Sequence, residues 1–337
     1  MIRRTVMTCV YRSDKLVGES WRCQRHGTCV PTGGEGSTRA CDACPDRLTS
    51  DDRKFNERWR DPLVLITRRR EPASDQLRDL LAGGSAFLMG GGPSANSLPL
   101  ELLSRRGCWT MAVNNVAGHP KVRPQAFVCS DPPSKFSHSV WLDPMIMKFV
   151  PTAKLGGRRA RLREKRDGQF IPMARTTAEC PNVWGFQRYS WLYPDDRFFT
   201  ADGACWGNHA SGTEMTKQPK TVCTMLLALR LLRFLGARRV YLVGVDFTMS
   251  PTWGYSFGQG RDEAASTSNN AQFIVVNRWL CEMAEGGTFA RFGLEVYNTY
   301  ELSGLRAFPY VPFEDAVAEA RGSIEDVPDL QGWYEKK

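Results

Sequence analysis

The sequence predicts an α/β protein in which a parallel sheet is flanked by helices and preceded by a small cysteine-rich metal-binding module. From Ser85 onward, short apolar runs alternate with helical segments, an order typical of parallel strands joined by crossover helices. Five of the eleven cysteines lie within the first 44 residues, where Gly, Thr, Ser and Pro are frequent and hydrophobic periodicity is weak. These two patterns separate a small N-terminal module from a larger main domain.

The predicted strands and helices of the main domain follow from its apolar runs and from the residues that separate these runs. The predicted strands are 86–89 (AFLM), 109–113 (WTMAV), 125–129 (QAFVC), 240–245 (VYLVGV) and 294–297. The predicted helices are 98–106, 221–235 and 271–284. Gly236 suits a left-handed C-cap that ends the second of these helices.

Composition shifts set the expected boundaries along the chain. Residues 1–50 form the cysteine-rich module, 51–83 a charged linker with a helix, 84–313 the main domain with a lid or insertion over 148–205, and 314–337 a C-terminal tail. No apolar run is long enough for a membrane-spanning helix, because Arg230 and Arg233 interrupt the longest candidate. The basic N-terminus lacks the apolar core of a secretory signal, so we expect a cytoplasmic location.

The charge balance favours an anionic partner. The 337 residues carry 45 Lys and Arg against 36 Asp and Glu, a formal net charge of +9. This excess suits a nucleotide, a phosphorylated acceptor or nucleic acid. Basic residues are dense between Lys148 and Arg166, and we name residues 154–166 the basic strip. We expect it to be a mobile lid or docking segment for an anionic acceptor; the alternative is a solvated loop without a specific ligand.

A glycine-rich turn follows the first predicted strand of the main domain. The segment AFLMGGGPSANS places Gly90, Gly91, Gly92, Pro93 and Ser94 between a strand and a helix. In a parallel sheet such a turn lies at the carboxyl edge, where glycines allow close backbone approach and free helix amides attract a phosphate. The pattern is neither GxGxxG nor GxxxxGK[ST], and a tight structural turn is the alternative.

Polar residues follow the other predicted strands at the same edge. They are Asn114, Asn115, Ser130, Asp131, Gly244, Asp246 and Phe247. Each alone is common in a turn or a cap, but successive polar strand ends are typical of a ligand site. The sequence therefore predicts one crevice over the strands that end at Gly90, Asn114, Asp131 and Gly244.

These residues also carry a family resemblance over about residues 84–313. The segment GGGPSANSLPLELLSRRGCWTMAVNN followed by SDPP, and RRVYLVGVDF followed by GYSF, resemble the bacterial sialyltransferases with a GxGPS motif. The first segment is also similar to the family of archaeal 6-hydroxymethylpterin diphosphokinase. The resemblance implies a Rossmann-like nucleotide-binding transferase domain that moves a sugar from a nucleotide-sugar donor to an acceptor.

The resemblance assigns roles to residues at matching positions. The turn Gly92 to Ser94 and Asn114 would contact the donor, Ser211 and Gly212 match a donor-contacting Ser-Gly pair more weakly, and Asn270 matches an Asn-containing turn. Tyr255 would hydrogen-bond the leaving phosphate. The sialyltransferases place a basic His just before the helix that corresponds to 271–280, whereas this chain reads AASTSNN there. His209 is the nearest loop histidine that could replace it.

Two other functions compete with sugar transfer. A diphosphokinase would use carboxylates such as Asp131 and Asp246 to hold Mg²⁺ against the transferred phosphates. A nucleic-acid-binding module would use the basic strip and the cysteine-rich module for backbone contacts. Nucleic-acid binding alone leaves the glycine-rich turn unexplained.

The cysteine-rich module has the spacing of a metal site. Its proposed ligands are Cys23, Cys29, Cys41 and Cys44, with Cys9 or His26 as replacements. A CxxC beside other cysteines in a cytoplasmic protein favours a metal over disulfides, and tetrahedral zinc would supply the folding energy that this short segment lacks. An iron–sulfur cluster uses the same ligands, and unligated thiols are the third alternative. Similar cysteine-rich segments accompany some phage and bacterial glycosyltransferase-like proteins.

Overall fold

The computed structural model describes most of the main domain and short parts of the N-terminal region. The described residues are 12–17, 20–23, 29–31, 65–67, 74–105, 107–131, 133–136, 138–155, 161–166, 169–189, 194–200, 204–205, 223–249, 255–256 and 263–323. Among these residues, no helix combines the length and the apolar character needed to cross a membrane.

The strands form one large sheet and three small ones. They are β1 Arg12–Val17, β2 Ser20–Cys23, β3 Cys29–Pro31, β4 Leu65–Ile66, β5 Ser85–Met89, β6 Trp109–Val113, β7 Ala126–Val128, β8 Met147–Pro151, β9 Arg161–Arg166, β10 Gln169–Thr176, β11 Val183–Phe186, β12 Arg188–Tyr189, β13 Ala204–Cys205, β14 Arg239–Val243 and β15 Glu295–Asn298. The large sheet has eight strands in the order β15-β14-β5-β6-β7-β8-β11-β4. Every neighbouring pair is parallel except β11 and β4, so the predicted α/β class with a mostly parallel sheet is confirmed.

Helices cover both faces of this sheet. They are α1 Ser74–Leu77, α2 His138–Leu142, α3 Arg197–Thr200, α4 Thr224–Phe234, α5 Glu263–Glu285, α6 Thr288–Arg291 and α7 Phe313–Ser323. Alternate residues of each strand enter opposite cores: Leu88 packs in the cluster with α4 and α5, and Phe87 packs in the cluster with α2 and α7. Burial of both strand faces explains why these strands read as continuous apolar runs.

The order of the strands reverses beside β5. From β5 the chain adds β6, β7, β8 and then β11 on one side, and it later returns to place β14 and β15 on the other side. In parallel sheets, the carboxyl end of the strands at such a reversal opens into a crevice, because the connections leave it in opposite directions. The reversal lies between β5 and β14.

Several sequence predictions were wrong in detail. In place of the helix expected over 98–106 there is a 3₁₀ turn, Leu100–Ser104, and a second 3₁₀ turn, Pro93–Ser97, precedes it. Pro99 separates the two turns, because it has no amide hydrogen and disfavours a helical residue before it. Gly236 does adopt the expected left-handed conformation, with φ 88°. Segments outside the expected main domain also pack with it: β4 adds an edge strand from the expected linker, and α7 buries Ala316 and Val317 from the expected tail.

The expected lid also contributes to the core. Residues 148–205 supply most of β8 and all of β11, which lie side by side in the large sheet, as well as the antiparallel pair β9 and β10. Within the basic strip, Arg161–Arg166 forms the strand β9, which pairs with β10, and its role as a mobile docking segment stays a prediction. Within this strand Leu162 is buried in the core on the α2 side of the sheet. Residues 156–160 lie outside the described residues.

Candidate functional site

The carboxyl ends of β14, β5, β6 and β7 lie side by side, as the sequence analysis expected. In the sheet register, Val243 pairs with Met89 and Met89 pairs with Ala112, so the turns after these strands begin next to one another. Val113 in turn pairs with Val128. The polar residues that follow these strands therefore border a common edge at the reversal of strand order.

The glycine-rich turn after β5 interlocks with the turn after β14. The amide of Gly90 donates to the Val243 carbonyl at 2.8 Å, and the amide of Gly92 donates to the Gly244 carbonyl at 2.7 Å. A Cβ atom on Gly90 would lie 2.6 Å from the Gly244 carbonyl oxygen, and Gly244 itself has φ 62°. The glycines thus allow two protein turns to approach each other, which is the structural role weighed against phosphate binding.

The Asp246 carboxylate is hydrogen-bonded to the Ser94 amide, which the sequence analysis expected to be free for a ligand. This carboxylate accepts the Ser94 amide at 3.0 Å and also accepts the Ser94 hydroxyl. The amides of Gly90, Gly92 and Ser94 are consequently all bonded within the protein, and phosphate binding by this turn stays a prediction. Their environment includes a carboxylate, whose charge would oppose that of a phosphate.

The Asp246 carboxyl is buried, and this sets its acid–base behaviour. Burial raises its pKa above the ordinary value, and the two hydrogen bonds from Ser94 lower it by a smaller amount. The following residue, Phe247, has φ 52°, which is a strained conformation for a bulky side chain. Its ring stacks on Phe273 with the ring centroids 4.7 Å apart. Strain of this kind is concentrated at functional sites.

Asn114 begins the turn after β6 with a polar atom that lacks a partner. Its φ is 55°, a left-handed conformation that asparagine tolerates better than most residues. Its side-chain oxygen Oδ1 is buried and accepts no hydrogen bond within the described part of the chain. Asn115 follows in the same 3₁₀ turn, Asn114–Gly118.

The end of β7 is braced by a second set of contacts. The hydroxyl groups of Ser130 and Thr224 lie 3.0 Å apart and are hydrogen-bonded, and the Lys154 ammonium donates to the Ser130 carbonyl. Asp131 is half-exposed and forms an ion pair with Lys135 at 3.3 Å. Lys154 therefore brings a positive charge to the β7 side of the edge, whereas Asp246 lies on the β14 side.

The short segment Tyr255–Ser256 contacts the glycine-rich turn. The Ser256 amide donates to the Gly91 carbonyl at 3.2 Å, which places this short segment against β5. The imidazole of the buried His119 also hydrogen-bonds the backbone of Ser256, and its Nδ1 accepts the Lys121 amide at 3.2 Å. Burial lowers the pKa of His119 more than the Ser256 bond raises it. Sequence reasoning missed both residues: His119 belongs to no motif, and within GYSF a role was assigned only to Tyr255.

Asn270 has a structural role in the described chain. Its Oδ1 accepts the Met249 amide at 2.8 Å, and its Nδ2 donates to the Met249 carbonyl at 2.7 Å. It therefore fixes the segment that follows Phe247, and the expected direct contact with a donor stays a prediction.

Several predicted site residues lie outside the described residues. These are Cys9, His26, Cys41, Cys44, His209, Ser211 and Gly212. Cys23 is the last residue of β2 and Cys29 is the first residue of β3, and these two strands pair in antiparallel fashion with Arg22 opposite Cys29. Two proposed metal ligands thus lie at the same end of this strand pair. Among the described residues, no group of three potential metal-ligating side chains is found.

Comparison with other proteins gives no further identification. No protein-family model, no curated protein and no solved structure matches the chain. The resemblance to sialyltransferases and to the diphosphokinase family stays a prediction, and the functional argument depends on the geometry of the edge.

Proposed function

We propose that the main domain is a Rossmann-like transferase that binds a nucleotide-activated donor over the carboxyl ends of β14, β5 and β6, and moves a sugar from it to an acceptor. The observation that carries the proposal is the reversal of strand order beside β5. Ligands of open parallel sheets bind in the crevice at such a reversal. The strained Phe247 and the Asn114 Oδ1 atom, which has no hydrogen-bond partner in the part of the chain that the structure describes, support a binding role.

The contacts of the glycine-rich turn favour binding of the uncharged nucleoside part of the donor beside this turn, in preference to its phosphate. The amides of Gly92 and Ser94 are already hydrogen-bonded within the protein, so neither is free to bind a phosphate. The Asp246 carboxyl group, which accepts the Ser94 amide, lies beside them. Lys154 supplies positive charge toward β7, and Tyr255 is the residue that the resemblance assigns to the leaving phosphate. We therefore place the nucleoside over β5 and β6, with the phosphate directed away from Asp246.

Sugar transfer also needs a group that accepts the proton of the acceptor. A carboxylate with a raised pKa is a stronger base than an exposed one, and the two bonds from Ser94 hold Asp246 in one orientation. His119 has both sides of its ring bonded within the protein, which favours a positioning role over proton transfer. In this proposal Asp246 accepts the proton, and His209 is the alternative.

The contacts of Asp131 favour sugar transfer over diphosphoryl transfer. A Mg²⁺ site for a diphosphate needs several oxygen ligands facing one point. Asp131 instead pairs with Lys135 at the surface on the β7 side, whereas Asp246 is buried on the β14 side. A diphosphokinase is nonetheless a distinct outcome of the experiment below.

Calorimetric titration with cytidine, uridine, guanosine and adenosine nucleotides and nucleotide sugars, with and without Mg²⁺, tests the proposal. We expect one nucleotide class to bind without Mg²⁺ and its sugar derivative to be hydrolysed slowly. Absence of binding by every nucleotide would refute the proposal, and Mg²⁺-dependent release of AMP from ATP would identify a diphosphokinase instead.

Tyr255→Phe tests the assigned mechanism. A hydrogen bond that strengthens as the phosphate leaves should lower donor turnover more than donor affinity. Tyr241→Phe is the matched control, because the Tyr241 hydroxyl is buried in β14 and has no hydrogen-bond partner among the described residues. Equal turnover in both variants would remove Tyr255 from the mechanism.

A further inference from the structure

Two buried polar atoms beside the glycine-rich turn have no hydrogen-bond partner among the described residues. They are the side-chain oxygen Oδ1 of Asn114 and the hydroxyl Oγ of Ser256. Only 9% of the Ser256 surface is exposed. Unpaired buried polar atoms are uncommon in folded proteins, and each one calls for a physical explanation.

Backbone contacts bring the two residues to the same wall of the crevice. The pairing of β5 with β6 ends at Met89 and Ala112, so the turns that contain Gly91 and Asn114 begin next to each other. The Ser256 amide donates to the carbonyl of that same Gly91. His119, which ends the turn that Asn114 begins, bonds the backbone of Ser256 from the β6 side. The backbone of Ser256 is therefore held by the turn after β5 and by the turn after β6, and its hydroxyl contributes no hydrogen bond to these contacts among the described residues.

We propose that Asn114 Oδ1 and Ser256 Oγ form a subsite for an uncharged group that donates a hydrogen bond, a hydroxyl or an amine of the nucleoside part of the donor. An amide oxygen only accepts hydrogen bonds, and a serine hydroxyl both donates and accepts. A phosphate offers acceptors, so it cannot satisfy Asn114 Oδ1. A ribose hydroxyl or a base amino group satisfies both atoms. This inference rests on the proposed function and assigns a specificity-determining role to Ser256.

The left-handed conformation of Asn114 determines which variants are informative. Alanine at φ 55° would add backbone strain to the loss of the side chain, whereas glycine accepts this conformation. Asn114→Gly therefore removes the side-chain amide, including Oδ1, without adding backbone strain, and Asn114→Asp retains an acceptor there while adding negative charge. Ser256→Ala removes the hydroxyl. Thr110→Val is the matched control. Thr110 Oγ1 is also buried and has no hydrogen-bond partner among the described residues, but Thr110 lies near the start of β6, away from the carboxyl edge of the sheet.

The test measures affinity for nucleosides, nucleoside monophosphates and inorganic phosphate by calorimetry. We expect Ser256→Ala and Asn114→Gly each to weaken the binding of nucleoside and nucleotide alike by roughly tenfold, the loss typical of one buried hydrogen bond. Asn114→Asp should retain nucleoside affinity within a few-fold, and Thr110→Val should bind as the wild type does. Unchanged nucleoside affinity in Ser256→Ala, or nucleoside binding lost in Asn114→Asp, would overturn the subsite.

Thermal unfolding of the same variants without ligand provides a second, independent outcome. If the two atoms have no partner in the protein, Ser256→Ala and Asn114→Gly should unfold at or above the wild-type temperature. A clear loss of stability in Ser256→Ala would mean that its hydroxyl already has a protein partner, which contradicts the subsite. Absence of nucleoside and nucleotide binding by the wild type would refute the proposed function itself.

Discussion

Replacing Gly92 with alanine places a methyl group where the interlocked turns leave no space. Its Cβ atom would lie 2.4 Å from Asp246 Oδ1, 2.5 Å from Asp246 Cγ and 2.7 Å from the Gly244 carbonyl oxygen. The carboxyl group must move, and both hydrogen bonds from Ser94 are then lost. Hydrogen bonds to a charged group contribute roughly 1.5–3 kcal/mol each, so we expect Gly92→Ala to lower the free energy of unfolding by about 3–6 kcal/mol.

Urea unfolding, followed by tryptophan fluorescence, measures this loss. Ser94→Ala is the companion variant, because it removes the hydroxyl bond to Asp246 without a collision. Since both changes act on the same contacts, the double variant should lose less stability than the sum of the two single variants. A Gly92→Ala protein within about 1 kcal/mol of the wild type, or strictly additive losses, would refute the interlocked turns. The result also matters for ligand-binding experiments, because a larger side chain at Gly92 disrupts the packing of the two turns, so a loss of donor binding in such a variant would not by itself show a direct contact with the donor.

Three further predictions concern other parts of the chain. Burial lowers the pKa of Lys148 to about 7 from 10.5, so the unfolded chain binds more protons over that interval and stability should rise with pH from about 7 upward. Lys148→Met should flatten this rise in urea unfolding at about pH 7 and about pH 9, and parallel curves for the two proteins would contradict it. The cysteine-rich module should carry one metal ion, so elemental analysis of untagged protein that finds neither zinc nor iron near stoichiometry would exclude it. Neutralising Arg158, Arg159, Arg161 and Arg163 of the basic strip should weaken binding of an anionic partner such as a single-stranded oligonucleotide and reduce its salt dependence; unchanged affinity for every anionic partner would count against a docking role.

The sequence located the strands whose apolar runs are unbroken. β5, β6 and β14 were predicted within two residues at each end, because their side chains enter apolar cores on both faces. β8 was missed because its second residue is Lys148, which reads as a surface residue. In the fold its ammonium donates to the carbonyls of Asp143 and Pro181, the latter at 2.9 Å, and these bonds permit its burial.

The position of the candidate site was predictable, but its chemistry was not. Parallel strand ends must share an edge, so Asn114 and Asp246 were placed there from the sequence. Whether the glycine-rich turn offers its amides to a ligand depends on how closely Gly244 approaches Gly92, which no local pattern encodes. The pairing of Ser256 with Gly91 and His119 is likewise a contact between distant segments, and it emerges only when the chain is folded.

The bond between Ser94 and Asp246 joins positions 152 residues apart in the chain, and this has a consequence during synthesis. At roughly 5–20 residues per second, a ribosome that has made Ser94 needs on the order of 8–30 s more to make Asp246. Once β6 has been made, and until β14 follows, β5 has a neighbour on the β6 side and an open edge on the β14 side. An open, apolar edge strand is a template for pairing with other chains. Nascent chains that stop before β14 should therefore be the species most dependent on chaperones.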